Sequence, residues 1–263
     1  MKLRIALGQM DVALGQPELN LARVAQMAAT AAAQGAELLV LPELWSTGYD
    51  LAHAEEHAAA LDAGVFAATA VLTRDHRLAI VGSCLADLGA GRVGNTAVLW
   101  DAGGQIRASY TKTHLFGLMQ EDRYLTPGDA LALVDAPWGA TGLAICYDLR
   151  FPELFRRYAL DGARLILLPS EWPYPRLAHW QTLLRARAIE NQLFVVGCNR
   201  VGRDAANEFF GHSCIVDPWG ETVLALGETP GVETAVIDLA LVDEVRGRIP
   251  VFADRRPTLY APD

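Results

Sequence analysis

Short apolar runs with no polar alternation, separated by alanine-rich stretches, most restrict what this chain can fold into. Leu38-Leu39-Val40-Leu41, ended by Pro42, reads as a strand buried on both faces, and 3–9, 164–168 and 193–198 read the same way. Runs of that kind belong in parallel sheets covered on both sides. Between them, 17–34 reads as a helix with Pro17 at its start and Gly35 just past its end, the placement that helix termini favour. A second helical stretch is expected over 52–75, and a third over 177–191. Other strands follow one another as neighbours: 78–85, 95–100 and 105–110, then 213–216, 222–226 and 234–238. Asp101-Ala102-Gly103-Gly104 supplies one tight turn, and Asp217-Pro218-Trp219-Gly220 fits a type I turn. Crossovers mixed with hairpins predict an α/β fold in which sheets pack on each other with helices outside, not one doubly wound parallel sheet.

At 263 residues the chain suits one large domain and is short for two. With no internal repeat or low-complexity linker, a single domain over 1–263 is expected. No apolar run approaches the ~20 residues of a membrane-spanning helix, and the apolar stretch at 3–9 is too short for a secretory signal, so the expected location is the cytoplasm. A net charge of −9 argues against nucleic acid or an anionic membrane as partner. The cysteines Cys84, Cys146, Cys198 and Cys214 form no CxxC pair, and the histidines form no HxH or HExxH cluster. Neither a disulfide framework nor a metal site is therefore expected, and Cys84, Cys198 and Cys214 fit core packing.

Cys146 differs from those three. It ends the run Thr141-Gly142-Leu143-Ala144-Ile145 and precedes a turn into a helix opened by Pro152. A thiol on such a bend is held out among backbone N–H groups, and the positive end of the following helix is expected to favour its thiolate. A thiol nucleophile also needs a base and a partner for the developing oxyanion. Glu43 stands at the C-terminal end of the buried strand 38–41, where ligands collect in open α/β sheets. Lys112 holds the equivalent place just beyond 105–110. The irregular segment 113–130 that follows is long enough to suggest a functional loop.

Leu41-Pro42-Glu43, Lys112-Thr113-His114-Leu115-Phe116 and Cys146-Tyr147-Asp148-Leu149-Arg150-Phe151-Pro152-Glu153 resemble, in order and spacing, the three signature segments of the nitrilase superfamily, the carbon–nitrogen hydrolases. The resemblance runs from Gln9 to Tyr260. It implies a Glu43–Lys112–Cys146 triad on an α-β-β-α sandwich of two mixed sheets flanked by helices. It also implies a homodimer formed through the helices flanking the nucleophile, extending the stack to four layers, and no metal or organic cofactor. Glu121 matches the family's second glutamate, and the backbone N–H of Tyr147 would help Lys112 hold the oxyanion.

Two further stretches resemble the ω-amidase branch, which includes bacterial 2-oxoglutaramate amidases. They are Trp172-Pro173-Tyr174-Pro175-Arg176 with His179-Trp180-Gln181, and the tail from Gly211 to Tyr260. The implied substrates are water and a small ω-amide of a keto acid, cleaved through a thioester. Another amidase of the superfamily, acting on deaminated glutathione or an N-carbamoyl compound, is the alternative, followed by a catalytically silent binding member. Trp172, Arg176 and Tyr49 are candidate substrate contacts, Arg176 for a carboxylate, and Trp45 is a further candidate for the pocket wall. His179 and Trp180 are expected to pack beneath the site. Leu168-Pro169-Ser170-Glu171-Trp172 departs from the small-residue pattern of other amidase branches.

Overall fold

The computed structural model describes residues 1–260. Two six-stranded mixed sheets carry the fold. In the first, Lys2–Gln9, Leu38–Val40 and Ala79–Asp87 run parallel at the centre. Gly231–Asp238 pairs antiparallel on one side, and the hairpin partners Val93–Trp100 and Ile106–Thr111 extend the other. The second sheet repeats the plan around Gly139–Leu143, Leu165–Ser170 and Phe194–Asn199. Leu133–Ala136 flanks it on one edge, with Cys214–Val216 and Thr222–Ala225 on the other.

Alternation along the strands shows how the sheets face. Ile5, Leu7, Leu38, Val40, Val81 and Leu99 share one core with Leu143, Leu165, Leu167 and Phe194 of the second sheet. Their neighbours Ala6, Leu39, Ile80 and Val98 instead pack with Val24, Ala28 and Ala31 of the helix Pro17–Ala33, and with Phe66 of Gly64–His76. Because side chains on a strand point alternately to opposite faces, this makes a helix–sheet–sheet–helix sandwich. Pro152–Leu160 and Leu177–Asn191 cover the outer face of the second sheet through Phe155, Tyr158, Trp180 and Leu184.

The helix expected over 52–75 is broken. A 3₁₀ turn at Leu51–His53 leads into Ala54–His57, and a separate helix spans Gly64–His76. Between them Ala59 bonds to the sheet edge, donating to the Leu85 carbonyl at 3.3 Å and accepting from Asp87 N–H at 2.9 Å. Those tertiary bonds outweigh helix propensity, which is a weak preference. The strand Leu133–Ala136, the ribbon of Val201–Arg203 with Glu208–Phe210, and the helix Ala240–Arg248 were not apparent from sequence periodicity. Within 113–130 lie two short helical turns, Gly117–Met119 and Glu121–Tyr124.

Candidate active site

The three strand ends singled out in the sequence converge. Glu43 lies beyond Leu38–Val40, where the chain is held to the neighbouring strand by Leu41 N–H on the Val81 carbonyl (2.8 Å) and Leu44 N–H on Ser83 Oγ (2.9 Å). Lys112 continues the pairing of Ile106–Thr111, donating its N–H to the Asn95 carbonyl at 2.8 Å. Both side chains are fully buried. Lys112 Nζ stands 2.7 Å from Glu43 Oε1 and 2.7 Å from Glu121 Oε2.

Neutral donors complete the cluster. Asn95 Nδ2 donates to Glu43 Oε1 at 2.7 Å, and Tyr49 Oη to the same oxygen at 3.0 Å. The N–H of Phe116 reaches Glu121 Oε2 at 2.6 Å, and that of Glu171 reaches Glu43 Oε2 at 3.0 Å. Burial pushes the Lys112 ammonium toward neutrality, but Glu121 and Glu43 more than reverse this and leave its pKa raised. Burial also raises Glu121, against the opposing pull of Lys112 and with a further upward push from Glu43. Tyr49 is held well above the ordinary phenol range by burial and then by the two glutamates, so it remains a neutral donor.

Cys146 opens the 3₁₀ turn Cys146–Arg150 with φ +44°. Left-handed backbone costs a side-chain-bearing residue about 1–2 kcal/mol, so its neighbours must hold it there. Asp148 does so by accepting the Ile145 N–H at 2.8 Å, while Tyr110 Oη and His114 Nδ1 lie 2.9 and 2.8 Å from its two oxygens. The thiol faces Glu43, Lys112 and the N–H of Glu171. One expectation is corrected here: the resting sulfur is not favoured as thiolate. Burial, followed by the negative charge of Glu43, raises the Cys146 pKa well above its ordinary value, with Lys112 opposing. In a dry site these charges outweigh the end of a short helix.

A narrow cleft above the sulfur is lined by Phe116, Cys146, Tyr147, Arg150, Glu171, Trp172, Pro173 and Arg176. Trp172 and Arg176 therefore stand where the sequence placed them, and Tyr49 lies deeper, on the glutamates. Tyr147 packs its ring 4.7 Å from that of Phe116, and its N–H belongs to the first turn, where helical donors lack intrahelical acceptors. Trp45 does not line the cleft. It is buried on the helix-facing side of the first sheet, against Gly82, where an added Cβ would come within 2.7 Å of the indole. Trp180 packs beneath the site as expected, 5.7 Å from the Trp172 ring, whereas His179 is exposed and lies 3.3 Å from Arg150 Nη2. Tyr174 turns outward to Glu228, 2.7 Å away.

Sequence reasoning passed over Asn95, Arg150 and the role of Glu171. Arg150 stacks over Trp172 at 4.7 Å, and Arg176 over Phe116 at 5.5 Å, so two guanidinium groups flank one cleft. Among the described residues neither forms an ion pair with a carboxylate. Burial and the nearby charge of Arg176 lower the Arg150 pKa. Glu171 ends the buried strand Leu165–Ser170, the same topological signal that identified Glu43.

A buried lysine between two carboxylates, set against a cysteine on a strained strand-to-helix bend, defines a hydrolase-type site in a helix–sheet–sheet–helix sandwich. The chain belongs to the carbon–nitrogen hydrolase family, whose model matches residues 4–247. It is 42% identical over 260 residues to the 2-oxoglutaramate amidase of Bacillus subtilis, covering 99% of this chain and all of that protein. Its fold is similar to XC1258 of Xanthomonas campestris, a CN-hydrolase superfamily protein, with a TM-score of 0.91 at 29% identity over 97% of this chain and 98% of the other. It is also similar to the amidase of Nesterenkonia sp. AN1, with a TM-score of 0.87 at 32% identity, covering 98% and 95% of the two chains. That amidase was solved with the acetamide moiety of fluoroacetamide added covalently at its active-site cysteine.

Proposed function

We propose that this carbon–nitrogen hydrolase is an ω-amidase that converts 2-oxoglutaramate to 2-oxoglutarate and ammonia, with Cys146 as nucleophile. The observation that carries the chemistry is the contact of Lys112 with Glu43 and Glu121 beside the Cys146 elbow. The substrate rests on the likeness to the Bacillus subtilis enzyme and on the two unpaired arginines, which offer a cationic seat for a keto-acid carboxylate.

In this mechanism Glu43 takes the thiol proton as sulfur attacks the amide carbon. The carbonyl electron pair moves onto oxygen, held by Lys112 and the Tyr147 N–H, where loss of one such donor typically reduces the rate by about 10²–10³-fold. Glu43 returns the proton to the nitrogen, the C–N bond breaks, and ammonia leaves behind a thioester. Water then attacks that carbon while giving a proton to Glu43, assisted by Glu121. The C–S bond breaks, the sulfur is reprotonated by Glu43, and the acid departs. One carboxylate acts in both half-reactions, so no histidine is required. A thiol that rests protonated suits this order, because the base removes the proton only as the bond forms.

The reading extends to a cytoplasmic homodimer. Unpaired Cys84, Cys146, Cys198 and Cys214 fit a reducing compartment, and no helix among the described residues is long and apolar enough to cross a membrane. Leu160 and Ile189, on the helices flanking the nucleophile, expose 41% and 48% of their surface and offer an apolar contact for a second copy.

The test is ammonia release from 2-oxoglutaramate, glutamine and a simple aliphatic nitrile, with Cys146→Ala as the blank. Release from the keto-acid amide alone, lost in Cys146→Ala, is the expected result. Equal turnover of glutamine or the nitrile overturns the substrate assignment.

A further inference from the structure

The chain buries a second ion pair that the reaction described above does not use. Arg200 Nη1 donates to Glu171 Oε2 at 2.9 Å, and both side chains are fully buried. Arg200 Nη2 donates to the Val12 carbonyl at 2.8 Å, and the guanidinium lies 4.1 Å from the centre of the Phe209 ring. Glu171 and Arg200 follow the ends of the adjacent parallel strands Leu165–Ser170 and Phe194–Asn199. Val12 belongs to the segment leaving Lys2–Gln9 in the other sheet. The pair therefore ties the two sheets together beside the reactive cluster.

Desolvating two charges offsets most of what their attraction gains, so stability alone is a weak reason for such a pair. The main chain supplies a better one. The N–H of Glu171 donates to Glu43 Oε2 at 3.0 Å and also faces the Cys146 thiol. Glu171 thus joins the base contributed by one sheet to the nucleophile contributed by the other. Its remaining oxygen, Oε1, is buried without a hydrogen-bond partner.

We propose that Glu171 and Arg200 are positioning residues, their ion pair fixing the Glu171 main-chain N–H that aims Glu43 at Cys146. This rests on the reading of Cys146 as nucleophile and Glu43 as its base. The charged and titratable groups facing Glu171 are Arg200 and Asp204 on one side, and Glu43 and Tyr49 on the other. Burial pushes the Glu171 carboxyl up to about 8, with Arg200 opposing and Glu43 adding to the shift. The pair therefore changes its proton content within the working range of a neutral enzyme.

Alkylation of Cys146 by iodoacetamide, followed by peptide mass, tests the proposal without reference to any amide substrate. Glu171→Gln keeps the side-chain shape, and the double variant Glu171→Gln/Arg200→Met leaves neither charge unpaired should the single variant fail to fold. The folded variants are expected to alkylate about 10–100-fold more slowly, the scale set by small misplacements of reacting groups. For ammonia release, kcat should fall in parallel with little change in KM, and Arg200→Lys should recover most of the rate. The wild-type alkylation profile should bend near pH 8, and the Glu171→Gln profile should not. Folded variants with wild-type alkylation rates, or with only a lowered Tm and an unchanged profile, overturn the positioning role. A wild-type Cys146 that resists alkylation overturns the nucleophile assignment itself, which separates the two failures.

Discussion

The Asp148 carboxylate accepts the backbone N–H of Ile145 at 2.8 Å, and this bond fixes the bend on which Cys146 stands. The same carboxylate takes the Tyr110 hydroxyl at 2.9 Å and lies 2.8 Å from His114 Nδ1. Tyr110 belongs to the first sheet, so one buried side chain sets the nucleophile's backbone and ties it to the strand that precedes Lys112.

Asp148→Ala should therefore impair both stability and activity. Removing the acceptor strands three donors, and a buried group left unpaired costs about 1–3 kcal/mol. A loss of about 3 kcal/mol in urea unfolding is expected, with ammonia release down by about 100-fold as the elbow relaxes. Asp148→Asn, which keeps an acceptor oxygen, should lose less. An unchanged urea midpoint in Asp148→Ala would show that the bend holds itself.

Lys112→Met should produce a protein whose stability depends strongly on pH. Without the ammonium, Glu43 and Glu121 face each other in a dry site, and breaking a buried pair in this way costs about 3–5 kcal/mol. Glu121 already has a raised pKa in the folded state, and Lys112 is what opposes the rise. In the variant the folded value climbs further, so stability is present at low pH and lost as pH rises through it. Urea unfolding should find the deficit smaller at pH 5 than at pH 8, and Glu121→Gln should relieve it. A deficit independent of pH would contradict the charge argument.

Glu171 gives a second linkage of the same sign. Its carboxyl is raised from the ordinary 4.5 to about 8 in the folded chain. The native state therefore holds a proton that the unfolded chain releases, and stability from this group falls as pH rises between those values. The free energy of unfolding of wild type minus that of Glu171→Gln should decline steadily from about pH 5 to about pH 8. A flat difference would mean that Glu171 is ionised throughout.

Much of this site was legible in the sequence because strand ends are easy to read. Glu43, Lys112 and Cys146 each follow a short apolar run, and the sheet topology brings such ends together. Glu171 obeys the same rule, but without coordinates nothing showed Arg200 beside it or its N–H on Glu43. Trp45 failed as a pocket residue because the backbone at Leu44, with φ +41°, turns the chain and sends the indole to the helix-facing side. The broken helix near Ala59 and the protonated Cys146 share one cause. Both depend on groups distant in sequence, the Leu85–Asp87 edge and the Glu43 carboxylate, that local propensity does not contain.

Ile189→Asp tests the proposed dimer. Ile189 exposes 48% of its surface on Leu177–Asn191, although part of its side chain lies close to Gly220. A carboxylate facing its symmetry copy across an apolar contact would be desolvated without a partner. Sedimentation should show wild type as a dimer and Ile189→Asp shifted to monomer at micromolar concentration. A wild-type monomer would remove the helical face from consideration.

Arg176→Ala is the sharpest test of substrate class. Arg176 and Arg150 both border the cleft, and their guanidiniums lie over Phe116 and Trp172 rather than against carboxylates. Stacking leaves the N–H edge of a guanidinium free, so each can still donate to an incoming anion. A charge-assisted hydrogen bond contributes about 1.5–3 kcal/mol, which corresponds to about 10–100-fold in KM for an amide carrying an α-keto acid. A neutral amide of similar length makes no such contact and should keep its KM within about twofold. In both cases kcat should change little, because the carboxylate is bound equally in ground and transition states. Arg150→Ala should show the same selectivity, since its guanidinium shares the cleft. Equal rises in KM for charged and neutral amides would mean that the arginines shape the cleft and do not read a carboxylate.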